Sequence, residues 1–300
     1  MKRIDPETYL QAPVVNWDAD RVAFFEGMLA DARSRGPGSV IAWQGAYPKH
    51  EFLTYLAECG GLLMHGSNRT AIRVLQPRSQ VNYLGERVRA VFATPDGIWP
   101  MFFAVLDREV YEGSLRNGCF FVTDPAGETR KCYHFSINRE LLPHQPWTEG
   151  MIYILDRAGF TRVHDLAGNP LEEWTSLAPV RPLARLPVAP EDFPFLAQVQ
   201  GHDERELARL ESAPGDLFKG FQHLTELEDG YALSYEGDEA WDAKLVEFIR
   251  LHRRTTPGLS YELVFAPDDG PIWLRLRGAA GKDAIKEKLH SFLDARNVPG

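Results

Sequence analysis

Apolar residues in the first sixty positions recur at the spacing of two helices. The pattern predicts one helix over residues 18–34, ended by a Gly-Pro-Gly sequence, and a second over residues 48–58, ended by two glycines. Their apolar faces consist of Val22, Phe25, Met28 and Leu29 in the first helix, and of Phe52, Leu53 and Leu56 in the second. A short strand is predicted between them at residues 40–43.

From residue 61 onward the pattern changes to short apolar runs separated by turns, which predict β-strands. The predicted strands are residues 62–64, 88–94, 118–123, 131–137 and 151–155, and residues 98–105 form a helix or strand packed nearby. A turn-rich region follows residue 157 and centres on residues 164–170, and the proline-rich segment 177–195 is expected to run extended over the surface. This density of strands favours an α+β domain with a mostly antiparallel sheet.

The last third of the chain predicts a second domain. An acidic turn at residues 226–230 leads into an alternating strand, and Trp241, Leu245, Phe248 and Ile249 recur at helical spacing over residues 241–251. A hairpin over residues 261–276 and a closing helix over residues 282–293 follow. The sequence therefore predicts a first domain over residues 1–200, a charged linker helix within residues 201–215, and a small α+β sandwich over residues 216–300.

Composition places the chain among soluble globular proteins. With 44% hydrophobic and 25% charged residues, no large disordered region is expected. The N-terminal sequence has no apolar segment typical of a signal peptide, and no run is long enough to cross a bilayer. Three scattered cysteines suit a reducing compartment and predict neither a disulfide framework nor a metal site. We expect a cytoplasmic protein with no membrane partner.

Charge and motifs narrow the functional classes. A net charge of −9 disfavours a protein that coats duplex nucleic acid without specificity, although it leaves room for one basic cleft. The Rossmann fingerprint, the Walker loop, HExxH and GxSxG do not occur, so a dinucleotide site in this chain would be of a non-Rossmann kind.

One histidine stands out by its surroundings. His65 follows the apolar run at residues 62–64 and precedes Gly66 and Ser67, so it is expected where a strand opens into a loop. Between His65 and residue 90 the sequence holds one acidic residue and five basic ones: Arg69, Arg73, Arg78, Arg87 and Arg89. Arginine forks hold phosphates well, which predicts an anion such as a pyrophosphate near the histidine.

His65-Gly66-Ser67 after an apolar strand, then a strand containing Phe92, then Glu149 just before another strand, resembles the ADP-ribosyltransferase superfamily. The similarity is to its poly(ADP-ribose) polymerase and diphtheria-toxin-like branch, which carries histidine, tyrosine and glutamate on three strands. It implies a split antiparallel β-sheet domain that takes NAD as substrate, with His65 on the adenine-side ribose and Gly66 on the nicotinamide amide.

Further roles follow from the same resemblance. Phe92 stands at the position of the nicotinamide-stacking tyrosine and lacks its hydroxyl, Glu149 is the catalytic carboxylate, and Arg69 or Arg73 binds the pyrophosphate. Ser67 completes the cofactor-binding motif. Glu173 competes with Glu149 for the carboxylate role, and the candidates for lining the cleft are Asp107 and Tyr133.

The activity implied is cleavage of the nicotinamide–ribose bond of NAD, as an ADP-ribosyltransferase or NAD glycohydrolase. The acceptor is left open among protein, nucleic acid, small molecule and water. Two alternatives are a non-catalytic NAD or ADP-ribose sensor and a nucleic-acid-binding protein of bacterial defence or toxin systems. The last third resembles an uncharacterised family of small bacterial proteins, with Thr255 and Thr256 in place of its tandem cysteines, so a structural or partner-binding role is expected there.

Overall fold

The computed structural model describes residues 9–45, 47–82, 87–123, 127–164, 168–203, 217, 220–253, 259–268, 270–278, 282 and 286. Within these residues the chain is mixed α+β, with small, mostly antiparallel sheets and four α-helices. It divides into two units, the first spanning Asp5–Gly201 and the second built from the described residues from His202 onward. Most of the linker helix predicted within residues 201–215 lies outside the described residues.

Three helices belong to the first unit: α1 (Ala19–Ser34), α2 (Lys49–Glu58) and α3 (Trp99–Val105). The first two confirm the helices predicted from apolar spacing. The Asp18 carboxylate caps α1 by accepting a hydrogen bond of 2.8 Å from the Arg21 amide, which satisfies one of the free amides of the first turn. Residues 98–105, predicted as helix or strand, form α3.

The strands of the first unit form three four-stranded sheets in the described part of the chain. In chain order they are β1 (Leu10–Gln11), β2 (Ser39–Val40), β3 (Leu63–Ser67), β4 (Arg78–Val81), β5 (Arg87–Ala93), β6 (Leu115–Thr123), β7 (Thr129–Asn138), β8 (Gly150–Leu155), β9 (Thr161–His164), β10 (Pro170–Ser176), β11 (Ala184–Val188) and β12 (Gln200–His202). The central sheet has the order β2-β11-β8-β3, and the flanking sheet β4-β5-β10-β9. In the third sheet β7 pairs with β1, β6 and β12.

Several strands differ from the sequence prediction. The turn-rich region at residues 164–170 is flanked by two strands that the sequence did not predict, β9 and β10, and the proline-rich segment contains β11. The sequence did not predict β10 because this strand contains a charged residue, Glu172. In the structure the Glu172 carboxylate is neutralised by Arg162 at 2.7 Å and Lys131 at 3.3 Å. The strand predicted at residues 40–43 is reduced to Ser39–Val40, and the strand leading to His65 continues to Ser67.

The central sheet separates two apolar cores. Met64, Ile152 and Ile154 belong to the larger core, which contains the buried residues of α1, α2 and α3. The side chains that alternate with these point to the opposite face of the central sheet and belong to a smaller core shared with the flanking sheet. Its members from β3, β8 and β5 are Leu63, Met151, Tyr153, Leu155, Val91 and Ala93. The first unit is therefore layered, with helices on one face of the central sheet and the flanking sheet on the other.

Two glycines let α3 lie directly against the central sheet. A Cβ atom on Gly66 would stand 1.8 Å from the Pro100 carbonyl oxygen, and one on Gly150 would stand 2.0 Å from the Ala104 carbonyl oxygen. Both would overlap main-chain atoms of α3, which cannot rotate away. Glycine is required at these two positions by this close approach of backbones.

The second unit is a four-stranded antiparallel sheet with one helix in its described part. Its elements are β13 (His223–Leu227), β14 (Gly230–Tyr235), α4 (Glu239–His252), β15 (Ser260–Phe265) and β16 (Ile272–Arg277), in the sheet order β13-β14-β16-β15. Leu245 and Phe248 of α4 pack on the sheet, as their helical spacing predicted. The predicted acidic turn begins later than expected, because Glu226 and Leu227 pair within β13.

The predicted closing helix is described only at Lys282 and Lys286, both helical. Lys282 ties this segment to the first hairpin, since its ammonium donates to the Leu227 carbonyl at 2.9 Å and pairs with Glu226 at 2.9 Å. Thr255 and Thr256 lie outside the described residues. In the part of the chain that is described, no helix combines the length and apolarity that a bilayer crossing requires.

Replacing Gly150 with alanine should destabilise the first unit, because the new methyl group forces α3 away from the central sheet. We expect the free energy of unfolding to fall by about 2–3 kcal/mol, measured by urea denaturation of the full chain. Gly27→Ala is the matched control, since a Cβ there meets nothing within 4 Å and α1 should gain roughly 0.5–1 kcal/mol. Equal stability of Gly150→Ala and the wild type would contradict the close approach of α3.

Candidate functional site

The central and flanking sheets meet at a single backbone bridge and then separate. Met64 and Thr94 exchange two hydrogen bonds, of 2.8 and 3.0 Å. If the ladder continued, Gly66 would face Phe92 at the next bonded position. Instead the Phe92 carbonyl accepts a 2.7 Å hydrogen bond from the His65 side chain. The backbone ladder between β3 and β5 is therefore broken beside His65 and Gly66, and this break is called the gap below.

Gly66 presents an unused donor and acceptor to this gap. Because the amide and carbonyl of Met64 point towards β5, those of Gly66, two residues further on, point the same way. Neither group is paired with a backbone group of β5. An adjacent N–H and C=O on an open strand edge match the acceptor and donor of a primary carboxamide, which makes this edge a place to bind one.

His65 is held in one tautomer. A carbonyl only accepts, so Nδ1 carries the proton that bonds Phe92, and Nε2 is left as an acceptor. The ring lies half-buried on the face of the smaller core, 6.2 Å from the Tyr153 ring between centroids. Burial lowers the pKa of His65, the bond to Phe92 opposes this, and the nearby Arg78 charge lowers it further. His65 is therefore a neutral acceptor near pH 7.

The segment after β3, residues 68–77, is fastened over the end of the central sheet. The Tyr153 hydroxyl donates to the Arg69 carbonyl and accepts from the Ile72 amide at 3.1 Å. Arg185 donates to the Thr70 carbonyl at 3.2 Å. Ser67, predicted to bind cofactor, uses its hydroxyl to accept from the Arg69 amide at 3.1 Å. The backbone is thus anchored while the side chains of Arg69 and Arg73 are exposed.

Glu149 lies exposed just before β8. It is four residues from Tyr153, which pairs with His65, so it stands roughly 13 Å along the strand at about 3.3 Å per residue. The structure therefore puts Glu149 at the start of β8, the strand that pairs with β3 and whose Tyr153 faces His65.

The structure places the Phe92 ring away from that face. Val91 and Ala93 belong to the smaller core, so the alternating Phe92 side chain points to the opposite side of β5, where it is half-buried. The residue that shares the His65 face is Val91. Phe92 was given the stacking role by the family resemblance, which matches positions along the chain and does not fix the face on which a strand residue lies.

The other sequence candidates lie elsewhere. Glu173 belongs to β10 rather than to a surface turn. Because its neighbour Trp174 packs against the smaller core, the Glu173 side chain points to the opposite face of the strand. The Asp107 carboxylate accepts from the Glu109 amide at 2.9 Å, an ordinary turn contact. Tyr133 is buried in a separate polar cluster. None of the three lies on the open edge of β3.

That polar cluster surrounds Asp96, which sequence reasoning did not select. Its carboxylate is buried and accepts from the amides of Ile98 and Trp99 at 2.8 and 2.6 Å, capping α3. The other oxygen accepts from Lys131 at 2.9 Å and Tyr133 at 2.8 Å. The position of this aspartate just before a helix was the sequence feature that could have indicated its role. Because both of its oxygens already have partners within the protein, Asp96 has a structural role.

The charges around Asp96 set the protonation of its neighbours. Burial alone would lower the pKa of the Lys131 ammonium, but the Asp96 carboxylate and the other neighbours together raise it. Burial, and then the Asp96 charge, raise the pKa of the Cys119 thiol and of the Tyr133 hydroxyl. Lys131 is therefore charged and Cys119 an inert thiol near neutral pH. In the described part of the chain, no three His, Cys, Asp or Glu side chains converge as a metal site.

Removing the Asp96 carboxylate should be strongly destabilising, because it leaves a buried ammonium without its partner. We expect Asp96→Ala to lower the free energy of unfolding by about 3–5 kcal/mol, measured by urea denaturation. Asp31→Ala is the control, because Asp31 is paired with Arg35 at 2.7 Å on an exposed helix surface, where such pairs contribute about 1 kcal/mol or less. Similar losses in the two variants would contradict a structural role for Asp96.

Acid should destabilise the fold partly through His65. Its pKa is lowered in the folded protein, so the folded state resists a proton that the unfolded chain accepts. This contribution is complete above the unfolded pKa of about 6.5 and is lost as the pH falls through the lower folded value. His65→Gln should reduce the dependence of the free energy of unfolding on pH between neutral and mildly acidic pH. Burial also lowers the pKa of His50, but His50 is present in both proteins and does not contribute to the difference. Identical pH profiles would contradict the buried neutral state of His65.

Comparisons of the whole chain with family models, with curated proteins and with solved structures give no match. The geometry of the gap beside His65 and the residues around it are therefore the basis for inferring what the first unit does.

Proposed function

We propose that the first unit cleaves the nicotinamide–ribose bond of NAD and passes ADP-ribose to an acceptor or to water. The observation that carries this proposal is the free amide and carbonyl of Gly66 on the open edge of β3. Nicotinamide bears a primary carboxamide, whose oxygen accepts from the Gly66 amide and whose amino group donates to the Gly66 carbonyl. The resemblance of His65-Gly66-Ser67 and Glu149 to the ADP-ribosyltransferase superfamily supports the same choice of substrate.

Neutral His65 suits the ribose on the adenine side. Its Nε2 is an acceptor because Nδ1 is occupied by the Phe92 carbonyl. A ribose hydroxyl donates to such a nitrogen, and a fixed ring holds it without loss of freedom on binding. Phe92 contributes here through its carbonyl, which orients His65, and not through its ring.

Two arginines supply the positive charge that the pyrophosphate needs. Arg69 and Arg73 are exposed on the anchored segment after β3. Guanidinium groups bind phosphate oxygens in pairs, and their charge does not depend on pH in the physiological range. The arginines thus supply charge to the middle of a dinucleotide whose two ends lie at His65 and Gly66.

Glu149 supplies the carboxylate that bond cleavage needs. Nicotinamide leaves as a neutral molecule from a cationic precursor, so no acid is required, and the barrier lies in positive charge that develops on the ribose ring. A carboxylate hydrogen-bonded to the ribose 2-hydroxyl stabilises that charge more in the transition state than in the bound substrate. Glu149 is exposed just before β8, the strand that pairs with β3 beside His65.

Nicotinamide release from NAD tests the proposal. The wild type should release nicotinamide, and Glu149→Gln should lower the rate by at least about 100-fold while calorimetry shows NAD still bound. His65→Ala should weaken NAD binding as well. Glu173→Gln, in a strand of the flanking sheet, is the matched control and should retain the wild-type rate.

Other outcomes are equally informative. Unchanged release by Glu149→Gln would remove Glu149 from the mechanism. NAD binding by the wild type without any release would favour a sensor. Absence of both binding and release would contradict the proposal as a whole.

A further inference from the structure

Part of the flanking sheet extends as a two-stranded ribbon. β4 pairs with β5 over residues 87–90, whereas β10 pairs with β5 only over residues 91–93. The segments 78–81 and 87–90 therefore have no third strand beside them in the described part of the chain. Residues 83–86, which join them, lie outside the described residues.

One face of this ribbon is exposed throughout and carries two arginines. The registered pairs are Ser79 with Arg89 and Val81 with Arg87, and all four residues are exposed. Arg87 and Arg89 are two residues apart on one strand, so their side chains emerge about 7 Å apart on the same face. Such a spacing is comparable with that of successive phosphates along a nucleic-acid strand. The opposite face adds one further exposed arginine, Arg78.

These ribbon arginines have no carboxylate partner among the described residues. Two other exposed arginines of the same unit, Arg35 and Arg130, are paired with carboxylates at 2.7 and 2.9 Å. In a chain with a net charge of −9, a strip of exposed positive charge is a local reversal of sign. It provides charge for an anionic partner rather than for the fold.

We propose that the ribbon formed by β4 and β5 enters the major groove of duplex DNA. That groove, about 12 Å wide, admits a two-stranded β-ribbon. Arg87 and Arg89 then contact phosphates or guanine edges, for which the guanidinium fork is well shaped. Duplex RNA fits less well, because its major groove is deep and narrow. An acidic protein offers no groove for a protruding ribbon.

The two arginines of the proposed DNA surface, Arg87 and Arg89, are not residues of the proposed NAD site. Arg87 and Arg89 lie on the face of β5 opposite to the Phe92 side chain, and they are three to five residues further from the gap along the strand. The inference does not need NAD chemistry, and DNA binding is measured without NAD. Failure of nicotinamide release and failure of DNA binding are thus independent results.

Fluorescence anisotropy with a short labelled duplex, with its single strand and with a duplex RNA of the same sequence tests this assignment. The full chain should bind the DNA duplex more tightly than either alternative at low salt. Arg87→Ala/Arg89→Ala should lower duplex affinity at least about tenfold and reduce the salt slope by about two, at roughly 0.9 per phosphate contact. Arg35→Ala/Arg130→Ala, which removes two exposed arginines of the same unit, should match the wild type.

Three results would overturn the proposal. One is absence of duplex binding at low salt, and another is an equal loss in the two double variants. The third is binding of single strand or RNA at least as tight as binding of the DNA duplex, which would point to a charged surface without groove recognition. Arg87→Lys/Arg89→Lys provides a check on folding, since it keeps both charges: it should retain the salt slope while losing part of the affinity supplied by the planar fork.

Discussion

Two hydrogen bonds between Met64 and Thr94 are the connection on which the candidate site depends. On one side, Gly66 and Gly150 let the backbone of α3 lie against β3 and β8 and hold the central sheet in place. On the other side, β5 continues into the flanking sheet and leaves β3. Because the strands separate after one bridge, a carbonyl of β5 is left for the imidazole of His65, and an amide and carbonyl of β3 are left for a ligand.

The two polar clusters of the first unit differ in how much hydrogen-bonding capacity they have left. Around Asp96 the carboxylate accepts from two amides, an ammonium and a hydroxyl, and Lys131 extends the network to Glu172. Such a network stabilises a unique arrangement of strands and helix. At the gap, by contrast, Gly66 retains a donor and an acceptor, and His65 retains one nitrogen. Unused capacity on an anchored backbone is what a binding site requires.

Sequence reasoning succeeded where local periodicity and burial agree. Helices α1, α2 and α4 have apolar faces at helical spacing, and these faces are buried. It failed for β10, where Glu172 is buried against Arg162 and Lys131 instead of facing solvent. The resemblance also gave Phe92 a stacking role, whereas Val91 and Ala93 of the same strand take the face towards the smaller core and the Phe92 ring takes the other.

The sequence by itself determined the local units: the helices, most strands of the first half, the arginine-rich stretch, and the order of His65, Phe92 and Glu149 along the chain. These follow from spacing and composition, which act over a few residues. The tertiary structure alone decided which strand edges stay open, which face each side chain takes, and that Asp96 rather than a more conspicuous residue anchors α3. Those outcomes depend on contacts between residues that are distant in sequence. A single amino-acid sequence does not show which of its distant residues are in contact.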